Sequence, residues 1–531
     1  MSLEKTYYLK PNVVIEPLFE KWYAWPHLIS PATAAMNVTN RHLKIMDSYI
    51  KSPQIHAAAV KNPKMLGGPF MDFPENRVTD VKTLKETTCR NQEDLLNFKQ
   101  AINELGDLLK NHNNGHSLED VYEQIPEALK GYVELLYDLN HNISYRFFEP
   151  LLYKSKYYKE NSQSIAIWLT ENDERPFVLS TPRLKQKDVL ELQIPFKSPL
   201  IDQLAKMKRT PNDPQKILEL LELSEEEEAL FMNLFTAEVP VKYEKYEGDK
   251  IRMRYFGHAC IYIETKDINI LVDPIISYYG YESDVSRFSD IDLPDEIDYI
   301  LITHNHQDHI LFETLLPLRH KVKNIIVPKS NIGKMQDPNL KLMLNAIGFD
   351  NVIELGEMET LPFDACNITG LPFLGEHCDL DIQSKLCFHV NLGEFSVLFM
   401  ADSCNIEPNV YKRVTDVVGD IDVLFLGMEC QGAPLSWLYG PLLDTPIERS
   451  HDNSRRLSGS NFNRGMGLVN IFNPKEVYVY AMGLEPWLEF ISSIKYTKES
   501  IPIVESDKLL ETCKQRGIIA ERLFGEKELL Y

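Results

Sequence analysis

The 531-residue chain lacks the features of a disulfide-stabilised or membrane-spanning protein. Its eight cysteines contain no Cys-x-x-Cys pair and are scattered along the chain, as in a reduced protein. No apolar run approaches the roughly 18 residues that a spanning helix needs. The first ten residues contain no apolar segment of the kind that directs secretion. We therefore expect a cytoplasmic protein that does not enter a membrane.

Positive charge is also scarce. The chain has 56 Lys and Arg residues against 78 Asp and Glu residues, a net charge of −22. Affinity for nucleic acid depends on neutralising phosphates, so we expect no nucleic-acid partner and no binding to an anionic membrane. One basic segment contains Arg449, Arg455, Arg456 and Arg464. Two interpretations of it are open: a site for the phosphate of an acidic partner, or ordinary surface ion pairs.

The N-terminal half mixes irregular, helical and strand-like patterns. Residues 1–88 predict an irregular, packed region with short helices. Leucine spacing over residues 95–109 predicts a helix, and an N-cap at Ser117 predicts a second helix that continues to Leu139. Alternation over residues 145–196 predicts strands, after which helical spacing returns. This half is therefore predicted to be mixed and mainly helical.

The pattern changes after a charged segment, residues 237–249, that reads as a domain boundary. Beyond it, short apolar strands alternate with turns and helical patterns, which is typical of a layered α/β fold. We therefore predict two domains, residues 1–245 and residues 246–531. The predicted strands of the second domain are Arg254–Phe256, Ile261–Ile263, Ile268–Val272, Tyr299–Ile302, Asn324–Val327 and Val397–Met400.

The run His304-Asn305-His306-Gln307-Asp308-His309 directly follows one of these strands. It places four possible metal ligands within six residues. Histidines this close repel one another when charged, and a metal removes that conflict by binding their neutral forms. The run therefore predicts a metal site; the alternative is a polar loop with unrelated histidines.

This run resembles the HxHxDH motif of the metallo-β-lactamase superfamily. Three further segments resemble that superfamily: Gly257-His258-Ala259, Leu271-Val272-Asp273-Pro274 and Met400-Ala401-Asp402. The resemblance covers about residues 250–490. It implies an αββα sandwich in the C-terminal domain, with a two-metal site at one edge.

The resemblance also implies roles for individual residues. Asp273 would orient a ligand histidine through its free ring nitrogen. His258 would be a structural or orienting histidine. The metal ligands implied are His304 and His306 for metal 1, Asp308 and His309 for metal 2, and Asp402 as a bridge or a second-metal ligand.

The chain departs from the superfamily pattern at two ligands. Where a hydrolase has a third histidine for metal 1, this chain has Glu376-His377. Adjacent residues on an extended strand face opposite ways, so either side chain could point inward. No histidine follows the last predicted strand, Val477–Met482, and His451 lies in a polar loop. Metal 2 is therefore expected to keep an open coordination position.

With Glu376 as a ligand the site is unusually rich in oxygen. Three histidines with Glu376, Asp308 and Asp402 suit iron or manganese better than the usual zinc pair. A redox metal with an open position can bind O2, whereas a zinc hydrolase needs a bound hydroxide. Glu429, which follows the strand Val423–Leu426, could also lie near the metals.

A narrower resemblance accounts for this ligand set. The chain resembles the diiron β-hydroxylases of nonribosomal peptide pathways, as in chloramphenicol biosynthesis, in its length, its large N-terminal domain and the order of its six ligands. The resemblance implies two iron ions, with Glu376 completing metal 1, and O2 as co-substrate. It implies hydroxylation of an amino acid that a carrier domain of a peptide synthetase holds as a phosphopantetheine thioester. It further implies an external electron donor and a homodimer formed through the N-terminal domain.

Glu376 is the residue that we expect to act in catalysis. A carboxylate can shift between one and two oxygen contacts, which could open a place for O2 only when substrate is bound. The alternative enzyme is a zinc hydrolase of the same fold, a thioesterase or lactonase with two zinc ions, which would use His377 instead. A scaffold protein with a relic site is disfavoured because all six ligand positions carry competent side chains.

Overall fold

The computed structural model describes residues 6–363 and 366–531. Its N-terminal part contains a four-stranded antiparallel sheet with the order β3-β2-β6-β7. Strand β2 is buried at all seven positions. The strands of this part are β1 (Tyr8–Leu9), β2 (Val13–Phe19), β3 (Trp22–Tyr23), β4 (Val133–Tyr137), β5 (Ile143–Phe147), β6 (Gln163–Leu169), β7 (Leu190–Leu192) and β8 (Phe235–Thr236).

Helices surround this small sheet. The longest, α6, buries one apolar stripe that includes Leu95, Phe98 and Leu105, as the leucine spacing predicted. The helices are α1 (Pro26–Ile29), α2 (Pro31–Asn37), α3 (Leu43–Lys51), α4 (Pro53–Ala59), α5 (Val78–Asn91), α6 (Glu93–Asn111), α7 (Glu119–Tyr122), α8 (Glu149–Leu152), α9 (Pro199–Lys206), α10 (Gln215–Leu218) and α11 (Glu225–Asn233).

Two N-terminal predictions need correction. The helix predicted from Ser117 to Leu139 is wrong: α7 ends at Tyr122, and the hairpin of β4 and β5 follows. Pro126 and Gly131, the latter with a φ of +79°, interrupt helical geometry there. The prediction for residues 1–88 missed β2, because Glu16 and Pro17 interrupt its apolar pattern.

The C-terminal part is built on two seven-stranded sheets. The first has the order β14-β13-β12-β11-β10-β9-β22 and the second the order β15-β16-β17-β18-β19-β20-β21. Side chains such as Ile261, Phe388 and Phe425 fill the space between them. The strands of the first sheet are β9 (Arg252–Gly257), β10 (Cys260–Glu264), β11 (Asn269–Val272), β12 (Ile297–Leu301), β13 (Val322–Pro328) and β14 (Val352–Leu355), with β22 (Lys527–Leu530) beside β9.

Helices cover the outer face of the second sheet, so the predicted αββα sandwich is confirmed. Its strands are β15 (Thr360–Pro362), β16 (Asn367–Leu371), β17 (Cys387–Leu392), β18 (Phe395–Phe399), β19 (Val423–Gly427), β20 (Glu476–Tyr480) and β21 (Ile519–Arg522). The helices of this part are α12 (Phe312–Leu318), α13 (Leu340–Ala346), α14 (Pro408–Val418), α15 (Leu435–Tyr439), α16 (Arg449–Ser454), α17 (Phe462–Phe472), α18 (Glu489–Ser492) and α19 (Ile501–Gln515).

The N-terminal part packs on the outer face of the first sheet. One continuous apolar core joins Phe98 and Ile167 of the N-terminal part to Ile300 and Ile325 of that sheet. None of the described helices combines the length and hydropathy that a bilayer span requires. Between the two parts, residues 237–249 form no helix or strand, so the predicted boundary at 245 lies in a connecting segment.

Candidate metal centre

The sandwich brings the predicted ligands to one edge because its central strands are parallel. Strands β11 and β12 run parallel in the first sheet, and β18 and β19 run parallel in the second. Asp273 directly follows β11, the His304–His309 run follows β12, and Asp402 follows β18. Carboxyl ends of neighbouring parallel strands lie side by side, so residues far apart in the chain meet there.

The first ligand group contains His304, His306 and Glu376. His304 Nε2 lies 3.1 Å from His306 Nδ1, and His306 Nδ1 lies 2.9 Å from a carboxylate oxygen of Glu376. All three side chains are buried. Their donor atoms, with one from His377, lie within 4.8 Å of one another, which is the spacing of a shared metal ion.

The second ligand group is centred on His309. Its Nε2 lies 2.9 Å from Asp402 Oδ2, and that same oxygen lies 3.9 Å from His304 Nε2. Asp402 therefore stands between the two groups, where a bridging ligand would be. Asp308 belongs to a third cluster with His309 and His258.

His258 and His377 also lie beside the predicted ligands. His258 Nε2 is 3.4 Å from Asp308 Oδ2, and its ring contacts the ring of His309 at 5.0 Å between centroids. His377 Nδ1 is 3.1 Å from Glu376 Oε2, and its ring stacks on His306. Both rings are buried.

The segment around Glu376 is not the extended strand that the sequence suggested. Strand β16 ends at Leu371, and Gly375 and Glu376 both have positive φ, +72° and +63°. In the left-handed region consecutive side chains do not alternate between two faces. The choice between Glu376 and His377 is therefore not exclusive, and both side chains face the cluster.

Asp273 holds His309 in place. Its Oδ2 accepts a hydrogen bond from His309 Nδ1 at 2.8 Å, and its two oxygens also accept from the backbone N–H and the hydroxyl of Thr303. Asp273 is fully buried. With Nδ1 occupied, His309 presents Nε2 to the centre, which is the orienting role that the sequence analysis expected.

Tyr439 is a contact that sequence reasoning missed. It ends α15, and its hydroxyl lies 2.9 Å from His306 Nε2. The two residues are 133 positions apart. The bond orients the His306 ring so that Nδ1 faces Glu376. No local pattern in the sequence marks Tyr439, because nothing near it is a metal ligand.

The electrostatics of the cluster favour a bound cation. Burial, together with the neighbouring rings of His309 and His306, lowers the pKa of His304 well below its ordinary value, so this ring is neutral. Burial raises the pKa of Glu376 to about 7. Burial opposes a charge on His309, but Asp402 and Asp273 outweigh it and raise the pKa of that ring.

The residues present fit a metal pair. Glu376 Oε2, Asp402 Oδ1 and both ring nitrogens of His258 are buried without a hydrogen-bond partner among the described residues. Such orphaned polar atoms are costly unless something satisfies them. A cation between His309 Nε2 and Asp402 would take the place of the proton that now joins them, and it would neutralise the buried carboxylates.

Other residues singled out from the sequence lie outside the cluster. His451 is exposed on α16 and joins none of the ligand groups. Burial, together with the nearby carboxylates of Asp402 and Glu376, raises the pKa of Glu429 to about 8. Glu429 also accepts a hydrogen bond from the Tyr496 hydroxyl. It belongs to none of the ligand groups either.

Three members of the arginine segment make hydrogen bonds within the fold. Arg455 Nε donates to Cys378 O, and Arg456 Nε donates to Gly432 O. Arg464 lies 3.0 Å from Cys404 Sγ, while Arg449 begins α16 and is exposed. These contacts favour internal bonding over a phosphate site for most of the segment.

Fold and site together define a metallo-β-lactamase-fold protein with a di-metal centre. Residues 8–239 match the family described as "diiron non-heme beta-hydroxylase N-terminal domain", and residues 252–431 match the β-lactamase superfamily domain. The chain is 41% identical to the 4-amino-L-phenylalanyl-(CmlP-peptidyl-carrier-protein) 3-hydroxylase of Streptomyces venezuelae, over 98% of this chain and 99% of that protein.

Solved structures of diiron β-hydroxylases are also similar to this chain over its whole length. The crystal structure of CmlA, a diiron β-hydroxylase from Streptomyces venezuelae, matches with a TM-score of 0.94 and 39% identity over 99% of this chain and 100% of that one. A mutant of the CmlA β-hydroxylase matches with a TM-score of 0.91, with the same identity and coverage. The chain belongs to the family of diiron non-haem β-hydroxylases. It is a hydroxylase, and the alternative of a zinc hydrolase is not supported.

Proposed function

We propose that this protein uses O2 and two iron ions to hydroxylate the β-carbon of an amino acid held as a thioester on a carrier domain. The observation that carries the proposal is the ligand set, in which Glu376 joins three histidines and two aspartates at one buried centre. The similarity over the whole chain to a hydroxylase named for a carrier-bound aminoacyl substrate supports it.

In this proposal each ligand group holds one iron ion. His304, His306 and Glu376 would hold metal 1, and Asp308, His309 and Asp402 would hold metal 2. An oxygen-rich set of this kind suits iron better than zinc. When bound, the iron pair supplies the redox chemistry: two electrons from an external donor, two protons and O2 convert a C–H bond to C–OH and release one water.

The protein's own residues prepare the site for that chemistry. Asp273 and Tyr439 hold the rings of His309 and His306 so that each presents one nitrogen to the centre. Burial excludes bulk water, which would otherwise divert reduced oxygen from the substrate. Glu376 lies on a left-handed turn, and its Oε2 accepts no hydrogen bond among the described residues, so both carboxylate oxygens would be available to a bound metal.

The first test is metal content. Protein purified from cells supplied with iron and zinc should contain about two irons per chain, with the visible absorption of an oxo-bridged diferric centre. Carrier domains loaded with a panel of aromatic and aliphatic amino acids should then give a product heavier by one oxygen, with 18O taken from O2. Two tightly held zinc ions and hydrolysis of the thioester would overturn the proposal.

We also propose that the chain forms a homodimer through residues 1–245. Sedimentation of the full chain should give about twice the 61.4 kDa of one protomer. A monomer at the concentrations used for catalysis would refute this part and leave the proposed reaction standing.

A further inference from the structure

A cavity of about 680 Å³ lies between the N-terminal part and the sandwich. Helix α6 forms one wall with Gly106, Leu109 and Lys110, which share one helix face, and Asn113 follows just after the helix ends. The hairpin residues 142–145, residues 334–336 and the segment after α15 complete it. Neither part of the chain could form this cavity alone.

The cavity runs from an exposed rim to a buried floor. At the rim, Lys110, Asn142 and Asp444 are exposed. At the floor, Tyr439 and Leu109 are only 2% and 5% exposed. The cavity is therefore open to solvent at the rim and closed at the floor.

The floor of the cavity is one hydrogen bond from the metal centre. Tyr439 lines the cavity, and its hydroxyl lies 2.9 Å from His306 Nε2. The buried ring of His27, with Nδ1 unpartnered among the described residues, lies on another side of Tyr439, at 6.2 Å between ring centroids. A ligand that reached the floor would therefore place its end beside the residues that hold metal 1.

Two lysines, Lys110 at the rim and Lys334 deeper, line the cavity together with two carboxylates, Asp444 and Asp381. The lysines are the groups that would bind a long arm with an anionic outer end. Lys110 stands at the rim, and its nearest acidic partner, Asp107, is itself exposed at 76% of the side chain. Deeper, the Lys334 ammonium donates to Tyr145 O at 3.0 Å and lies 3.3 Å from Ser144 Oγ. An ammonium has three N–H donors, so one stays available for an amide carbonyl in the cavity.

We propose that this cavity receives the phosphopantetheine arm of the carrier domain, with the phosphodiester near Lys110 and the thioester end at Tyr439. The inference rests on the proposed function, and it assigns the place where the substrate enters. It also gives the N-terminal part a role, because α6 supplies Lys110 at the rim and the hairpin supplies polar wall residues such as Asn142 and Ser144.

A second cavity, of about 490 Å³, is the alternative entrance. It lies on the other side of α15 and is lined by Trp437, Phe177 and Arg41. The Arg41 guanidinium is already bound to the backbone carbonyls of Trp437 and Leu438. Among the described residues, no hydrogen bond joins a residue that lines this cavity to one of the predicted metal ligands, whereas Tyr439 of the first cavity makes such a bond to His306. We therefore favour the first cavity and make the second an outcome of the test.

Gly106→Trp tests the proposal by adding a large side chain at a residue that lines the cavity. A Cβ at Gly106 meets nothing within 4 Å, so a side chain can begin there without a clash, and an indole would extend toward the space that Gly106 lines. Removing glycine from the helix interior also favours α6. We expect kcat/KM for the aminoacyl carrier to fall at least about tenfold, mainly through KM, with metal content and visible spectrum unchanged.

The matched control is Gln100→Trp, which places the same side chain on the exposed face of the same helix. It should leave kcat/KM within about twofold of the parent. If Gly106→Trp behaves like this control while the parent hydroxylates carrier-bound amino acid, the arm does not use this cavity.

Charge reversal tests the rim. Lys110→Glu should raise KM several-fold, an effect that shrinks as salt screens it. Lys508→Glu is the control, since the two lysine side chains are similarly exposed, 56% and 55%, and each pairs with an acidic residue three positions before it. Equal effects of the two reversals would refute a specific site at Lys110.

Photo-crosslinking separates this inference from the proposed reaction. A carrier domain whose phosphopantetheine thiol bears a diazirine should label peptides that contain Tyr439 or Leu442. Labelling near Phe177, or no labelling, would overturn the inference even if hydroxylation is observed. Labelling at Tyr439 without hydroxylation of any loaded amino acid would instead support the entrance and refute the proposed function.

Discussion

Asp273→Asn tests whether a buried carboxylate holds His309 in the form that binds metal. The side chain accepts three hydrogen bonds, from the Thr303 N–H at 2.7 Å, the Thr303 hydroxyl at 2.6 Å and His309 Nδ1 at 2.8 Å. An asparagine has one oxygen and one NH2 group, so it cannot accept all three. If the oxygen faces the Thr303 N–H, the NH2 group opposes the N–H of His309.

The magnitude follows from that conflict. To avoid two opposed donors, His309 must move its proton to Nε2, the nitrogen that faces Asp402. Loss of a hydrogen-bond partner that orients a ligand histidine lowers the metal affinity about 10- to 100-fold, which corresponds to roughly 1.4 to 2.7 kcal/mol of binding free energy. The folding cost, a buried polar group left unpaired, is roughly 1 to 3 kcal/mol, less than the stability of a typical domain. The variant should therefore fold and lose metal 2.

The assay is metal retention during titration with a chelator, beside a thermal unfolding curve. Asp337→Asn is the matched control, because Asp337 is also a buried carboxylate with several hydrogen bonds, to Ser330, Gln383 and Ser384. It should lower stability while both metals stay bound. The reasoning about Asp273 fails if its variant retains both metals as tightly as the parent.

Three further variants test other parts of the site and fold. Glu376→Asp shortens the carboxylate and should uncouple O2 consumption from hydroxylation; product formed per O2 consumed, unchanged from the parent, would sink the idea that Glu376 shifts. Tyr439→Phe leaves His306 Nε2 unpaired and should weaken metal 1 about tenfold by chelator titration, with no effect if the bond is incidental. Burial raises the pKa of Glu149 to about 7, so the folded state binds more protons than the unfolded one between about pH 4.5 and 7. Stability should therefore fall as pH rises through that window and level off above it; Glu149→Gln should flatten this slope, and a slope unchanged in urea unfolding would contradict the assignment.

The metal motif was readable in the sequence because its ligands are contiguous. The run from His304 to His309 needs only a preceding strand to place it, and the strand was visible as an apolar segment. Asp273 and Asp402 were also singled out, because the segments around them resemble the superfamily, and each follows a strand in the structure. Local patterns of this sort survive folding because the strand and its loop are neighbours in the chain.

Glu376 and His377 show where local reasoning stops. Alternation on a strand would expose one and bury the other, but two positive φ values turn the segment so that both face the centre. The hairpin of β4 and β5 was missed for a related reason, since its apolar residues fit helical spacing until Pro126 and Gly131 are considered. Backbone conformation at one or two residues overrides a periodic pattern.

The amino-acid sequence by itself determined the layered fold and indicated the candidate ligands, because strands, turns and ligand spacing are local properties. Only the tertiary structure decided what surrounds them. Tyr439 reaches His306 across 133 residues, and the cavity above it needs walls from both parts of the chain. Such contacts depend on how two parts pack through a shared core, and packing of distant segments leaves no periodic signal in either of them.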